Sequence, residues 1–185
     1  MQRKFYIISF FLIISRLADG ITTYMVTPDL SLEKNPLVIY LNFGWFAMIT
    51  LGVLLVLILI FLTYIGQKYQ NLFYIRSTTF SNYVADYFYE KRINSFSFML
   101  KLPKFKKSIV FLGNTLPLTL IIYSLILTVS NILMYQYDWY PILTHKFFVA
   151  KWIFFLPLII FLLLSINLLY RHYKRFNILD SSKNN

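Results

Sequence analysis

An all-α integral membrane bundle of about four transmembrane helices, with an amphipathic cytoplasmic segment at the membrane interface, is the fold class this sequence predicts. Three observations carry it. Hydrophobic residues make up 58% of the 185 residues and gather in four long runs rather than spreading through the chain. Each run is long enough to cross a hydrocarbon core of roughly 30 Å at about 1.5 Å per helical residue. The cations, which leave a net charge of +11, flank these runs instead of forming one patch.

The first run, 5–26, is interrupted by Arg16 and Asp19 and follows Arg3 and Lys4. A basic start before an apolar stretch also fits a signal peptide. Cleavage after Ala18, however, would put Arg16 where a small residue is wanted, so a retained helix is expected. The second run, 43–65, has no charge and is the clearest span. The third, 108–135, contains Asn114, Pro117 and Asn131. A proline there removes one backbone donor and predicts a kink. The fourth, 147–170, contains Lys151 and Pro157. The chain reads as a single membrane domain over 1–185, and the polar tail after 180 reads as frayed.

Orientation follows from charge. The N-terminus, the 66–107 loop and the tail after Tyr170 hold 14 of the 18 Lys and Arg. The short loops 27–42 and 136–146 hold only Lys34 and Lys146. With four spans the three basic segments share one side. The positive-inside rule makes that side the cytoplasm, with both termini there. The expected location is a bacterial inner membrane. Charge placed this way is explained by topology, so nucleic acid is not an expected partner. Absence of cysteine excludes disulfides and thiolate chemistry.

The 66–107 loop has its own pattern. Phe80, Tyr83, Val84, Tyr87 and Phe88 follow the i, i+3, i+4, i+7, i+8 spacing of an amphipathic helix. Lys91, Arg92, Lys101, Lys104, Lys106 and Lys107 follow it, interleaved with Phe96, Phe98 and Met99. One reading is a segment lying on anionic lipid of the inner leaflet, with these cations as the lipid contacts. A loop packed on the ends of the bundle, or one that docks a partner, fits the same pattern.

Polar residues within or beside apolar runs are the candidate site. Arg16 and Asp19 stand three apart and can pair on one helix face, with Thr22 and Thr23 continuing it. Glu33 and Asn35 precede the second span, and an Asn before Pro36 also makes a turn. Asn131 and Asp138 close the third span, and His145 opens the fourth. Four spans put Asp19, Thr23, Glu33, Asn35, Asn131, Asp138 and His145 toward one non-cytoplasmic side. Two carboxylates and a histidine suit a divalent metal or acid–base chemistry. The same residues serve equally as caps, turns and an internal ion pair. No metal, cofactor or reaction is assigned, because no diagnostic spacing is present: there is no His-Glu-x-x-His, Gly-x-Ser-x-Gly or phosphate loop.

The stretch Asp19-Gly20-Ile21-Thr22-Thr23, followed by Glu33-Lys34-Asn35-Pro36-Leu37, resembles the signature of a family of small prokaryotic multipass membrane proteins. Those pair Asp and Thr late in one helix with Glu-x-Asn-Pro before the next. The resemblance covers the first quarter of the chain and implies a topology but no activity. Lipoprotein signal peptidases are similar in size and four-helix topology. Their catalytic aspartates have no counterpart here, since Met134 stands where one would follow Asn131.

Three functional readings follow. The first is an outward-facing pocket for a small ligand, lipid headgroup or metal, enzymatic or not. The second is an accessory or scaffold subunit that binds a membrane-protein partner. The third is a small oligomeric transporter.

Overall fold

The computed structural model describes residues 2–31, 36–89, 103–141 and 149–181. Within them the chain is helical, with no strand. The helices are α1 (Gln2–Val26), the short α2 (Pro36–Leu41), α3 (Trp45–Lys68), α4 (Phe80–Tyr89), α5 (Phe105–Gln136) and α6 (Val149–Ser181), with a 3-10 turn at Gln70–Phe73. Four of them, α1, α3, α5 and α6, are long and apolar enough to cross a membrane. That is the make-up of a membrane protein. Large apolar side chains such as Phe46, Val53, Leu57, Phe61, Leu163 and Ile166 are exposed along these helices, as lipid rather than water solvation requires.

Helix α5 is the centre of the bundle, packing against α1, α3 and α6. Many of its inward positions are small or polar: Gly113, Asn114, Thr115, Thr119, Ser124 and Ser130 are buried. Small residues let membrane helices approach closely. Buried Thr115 and Thr119 bond their own helix, to the carbonyls of Phe111 and Thr115, and so add no unpaired group. The closest approach is between α3 and α5. A Cβ on Gly66 would lie 2.8 Å from the Gly113 carbonyl carbon, and a Cβ on Gly113 would collide with the Leu62 carbonyl oxygen. Beside this contact Asn114 donates to the Gly66 carbonyl (3.1 Å) and to Val110 (2.7 Å), while Gln67 donates to Asn114 Oδ1 (2.8 Å). Pro117 stands one turn on, and its missing N–H releases the Gly113 carbonyl from the helical ladder.

Both ends of the bundle carry aromatic side chains. At the end where α1 finishes, Trp45 Nε1 donates to the Pro28 carbonyl (2.7 Å) and its ring meets Tyr24 edge-on. Nearby Asp29 accepts from the Ser31 hydroxyl and backbone N–H, which holds this exposed carboxyl below its ordinary range. At the opposite, basic end, α4 closes the bundle. Thr79 caps it by accepting from the Asn82 N–H. Its predicted apolar face turns toward the protein: Tyr83 and Tyr87 are fully buried, with Phe73, Phe111 and Leu169 in the same core. Phe73 lies between the rings of Tyr87 (4.8 Å) and His172 (4.5 Å), both nearly parallel to it. The helix is thus amphipathic, with the face read as lipid-binding packed on the bundle instead.

The two phenols hold this cap by polar bonds as well. Tyr83 donates to the Phe73 carbonyl and Tyr87 to the Lys107 carbonyl, each at 2.9 Å. Burial pushes both hydroxyls well above the ordinary tyrosine range, with Tyr83 adding to the effect on Tyr87. A phenol whose folded pKa is raised stabilises fully below its unfolded value near 10, and that contribution falls as pH rises beyond it. Replacing each with Phe should cost about 1 kcal/mol at neutral pH, from one net hydrogen bond. The double variant should also lose less stability than the parent between roughly pH 10 and 12. Denaturation in mixed micelles at pH 7.5 and 11 checks both, and an unchanged alkaline slope would rule out this role for the phenols.

Candidate functional site

Helices α1 and α5 run parallel, in a register that brings residue i near residue i+108. Arg16 Nη1 donates to Ser124 Oγ at 3.2 Å, and one heptad further along Asn131 Nδ2 donates to Thr23 Oγ1 at 3.0 Å. Asn131 also reaches Thr22 Oγ1 at 3.3 Å. Thr22 in turn donates to the Ala18 carbonyl at 2.9 Å. On the Arg16 side, Nη1 meets Asp19 Oδ2 at 2.6 Å, a charge-assisted pair within one helix. Asp19 is buried, whereas 27% of the Arg16 side chain is exposed. The described polar residues therefore form a seam between two helices. At about 1.5 Å per residue, the Ser124 and Asn131 contacts lie roughly 10 Å apart along it.

Depth matters to its chemistry. Arg16 is ten residues from the end of α1 at Val26, about 15 Å, which is half of a typical hydrocarbon core. An isolated charge there is costly, and an ion pair with satisfied hydrogen bonds is the way a helix tolerates it. The pair is formally neutral. Of the guanidinium nitrogens, Nη1 carries both bonds. Nη2 and Nε remain available to an acceptor among the described surroundings.

The structure thus brings together Arg16, Asp19, Thr23 and Asn131, and does not bring Asp138 to them. Asp138 is exposed beyond the end of α5. Neighbouring Tyr140 returns to the helix, its hydroxyl 3.1 Å from Ser130 Oγ. Glu33, Asn35 and His145 lie outside the described residues. Among the described residues no group of three His, Asp or Glu side chains is placed to hold a metal ion. Of the cations expected to touch lipid, Lys91, Arg92 and Lys101 also lie outside the described residues. Lys104 and Lys106 are exposed, with Lys106 Nζ 4.7 Å above the Tyr69 ring. Lys107 is buried. Its Nζ donates to the Asp86 carbonyl and sits above the Tyr87 ring, held by α4 rather than turned to headgroups.

Sequence reading missed Ser124 and the Gln67–Asn114 bond. A signal for the first exists: Arg16 and Thr23 are seven apart, as are Ser124 and Asn131, so matching heptads mark both facing helices. Nothing comparable marks Gln67, which ends a charge-free run and reads as an interfacial residue.

Comparison with protein-family models, with curated proteins and with solved structures gives no match. The functional reading rests on the chain's own geometry.

Proposed function

We propose that this chain is a multi-pass protein of a bacterial inner membrane, with both termini in the cytoplasm, that acts as a non-enzymatic accessory or scaffold subunit. The clustering of cations at one end supports the orientation. The observation that carries the scaffold reading is the α1–α5 seam. Its polar side chains bond across a helix–helix contact in two groups, Arg16 with Asp19 and Ser124 near mid-membrane and Asn131 with Thr22 and Thr23 toward the helix ends. A neutral, mutually bonded seam fixes which helices are neighbours and in what register. It offers little to a substrate. The chain's large exposed apolar faces leave room for a partner's helices as well as lipid.

A second reading is an outward-facing site for a small polar ligand. It is favoured by the part-exposed Arg16, whose Nη2 and Nε can still donate. The cysteine-free chain separates the two. A cysteine at Thr23, challenged from outside with a membrane-impermeant thiol reagent, should react no faster than one at lipid-facing Val53. Fast labelling at Thr23 would mean that the seam opens to the exterior and would favour the ligand site. In parallel, the tagged chain extracted in mild detergent should migrate on a native gel in a complex containing a second polypeptide. Migration only as itself or as a homo-oligomer contradicts the accessory role.

A further inference from the structure

The basic end of α6 carries a feature that the α1–α5 seam does not explain. Asn167, Tyr170, Arg171, Lys174 and Arg175 line an open groove of about 440 Å³. All five side chains are exposed, and among the side chains described no carboxylate pairs with its three cations. His172 is turned away into the Phe73 stack, which fixes the rotation of α6 and so the direction the groove faces. Tyr170 and Tyr173 pack on Phe80 of α4, supporting the groove from its side.

The groove also has a continuation. The apolar run of α6 ends at Tyr170, so the cations that follow it stand at the depth of headgroups. Below them on the same helix face, Ile159, Leu162, Leu163 and Ile166 are exposed. They lie at the three- and four-residue spacing that leads up to Asn167 and Tyr170. Three cations above an apolar stripe, with an amide and a phenol between, match one kind of molecule end to end. We infer that this groove is a binding site for an anionic phospholipid. The phosphodiester lies among Arg171, Lys174 and Arg175, Asn167 and Tyr170 meet the glycerol and ester oxygens, and an acyl chain runs along Leu163 and Ile159. Planar guanidinium groups suit a phosphodiester. The inference needs only that α6 crosses a bilayer, and it stands whether the chain is a scaffold or a ligand-binding protein.

The test uses the full chain in phosphatidylcholine vesicles with a fluorophore on a single introduced cysteine. One label is at Leu163, below the groove, and a reference label is at Val53 on α3. Quenching by brominated phosphatidylglycerol is compared with quenching by brominated phosphatidylcholine at equal fractions. Each interfacial cation contributes about 1 kcal/mol, a factor of roughly five. At Leu163 the anionic lipid should therefore be preferred at least about fivefold, and at Val53 hardly at all. In the triple variant R171Q/K174Q/R175Q the preference at Leu163 should vanish while the Val53 signal stays as in the parent. Equal preference at the two labels in the parent overturns the site, whatever the variant does. So does a preference that survives the triple substitution. If millimolar inorganic phosphate abolishes the preference at constant ionic strength, the groove takes free phosphate, and the lipid assignment is wrong.

Discussion

Replacing Gly113 with alanine is expected to push α3 away from α5 and to lower stability by about 3 kcal/mol or more, at the upper end of overpacking penalties. The reason is backbone, not side chain. The new Cβ would meet the Leu62 carbonyl oxygen and would also lie 3.1 Å from the Gly66 nitrogen. A flexible side chain can rotate away, but a helical carbonyl can move only if its helix moves. Separation would then stretch the Asn114–Gly66 and Gln67–Asn114 bonds, which are buried. Gly52 is the control. It lies on the same α3, yet a Cβ there meets nothing within 4 Å. Gly52→Ala should be neutral, or stabilise by up to about 1 kcal/mol through helix propensity. Unfolding in mixed detergent micelles measures both, and equal effects would remove the close contact from the account.

The second large effect is expected at Asp19. Asp19→Asn takes the carboxylate from Arg16 while the cation stays near mid-membrane. Breaking a buried pair by removing one partner costs roughly 3–5 kcal/mol, and a lone Arg at a helix centre costs about 2.5–3.5 kcal/mol on insertion scales. Steady-state abundance in the membrane should fall several-fold. The double variant Arg16→Met/Asp19→Leu removes both charges and should recover most of that loss. Its remaining deficit should reflect the other bonds that the two side chains make, that of Arg16 to Ser124 among them. A single variant as abundant as the parent, or a double variant worse than the single, would mean that the pair is not what allows α1 to sit where it does.

How far the sequence was legible depends on the physical range of each signal. Spans follow from local hydropathy, and all four appear as helices. Their ends differ because apolarity and helicity stop for different reasons. Hydropathy falls after Tyr170, but α6 continues to Ser181, since a helix leaving the membrane keeps its own backbone bonds and His172 and Tyr173 anchor it in the basic-end core. In α4 the 3.6-residue period was visible, but a period shows that a face is buried and not what buries it. Lipid and the bundle end are equally apolar, and only the Phe73 and His172 rings decide between them. The Arg16–Asp19 pair was legible because its partners are three apart on one helix. Ser124 was not, because an i+108 contact exists only once α1 and α5 are known to be parallel neighbours. Asp138 shows the converse. It shares a predicted side with Asp19, yet side alone brings no contact when the helix end turns the residue outward.

Whether the polar seam joins α1 to α5 in this register is the central claim, and paired cysteines in native membranes test it most directly. Thr23→Cys combined with Asn131→Cys should crosslink efficiently within one chain, because the native side chains are in hydrogen-bonding contact. Thr23→Cys combined with Ile132→Cys should not, since Ile132 is exposed on another face of α5. Crosslinking of the first pair alone is the predicted result. Failure of the first pair, with both thiols shown to be reactive after solubilisation, or equal crosslinking of the two pairs, would contradict it.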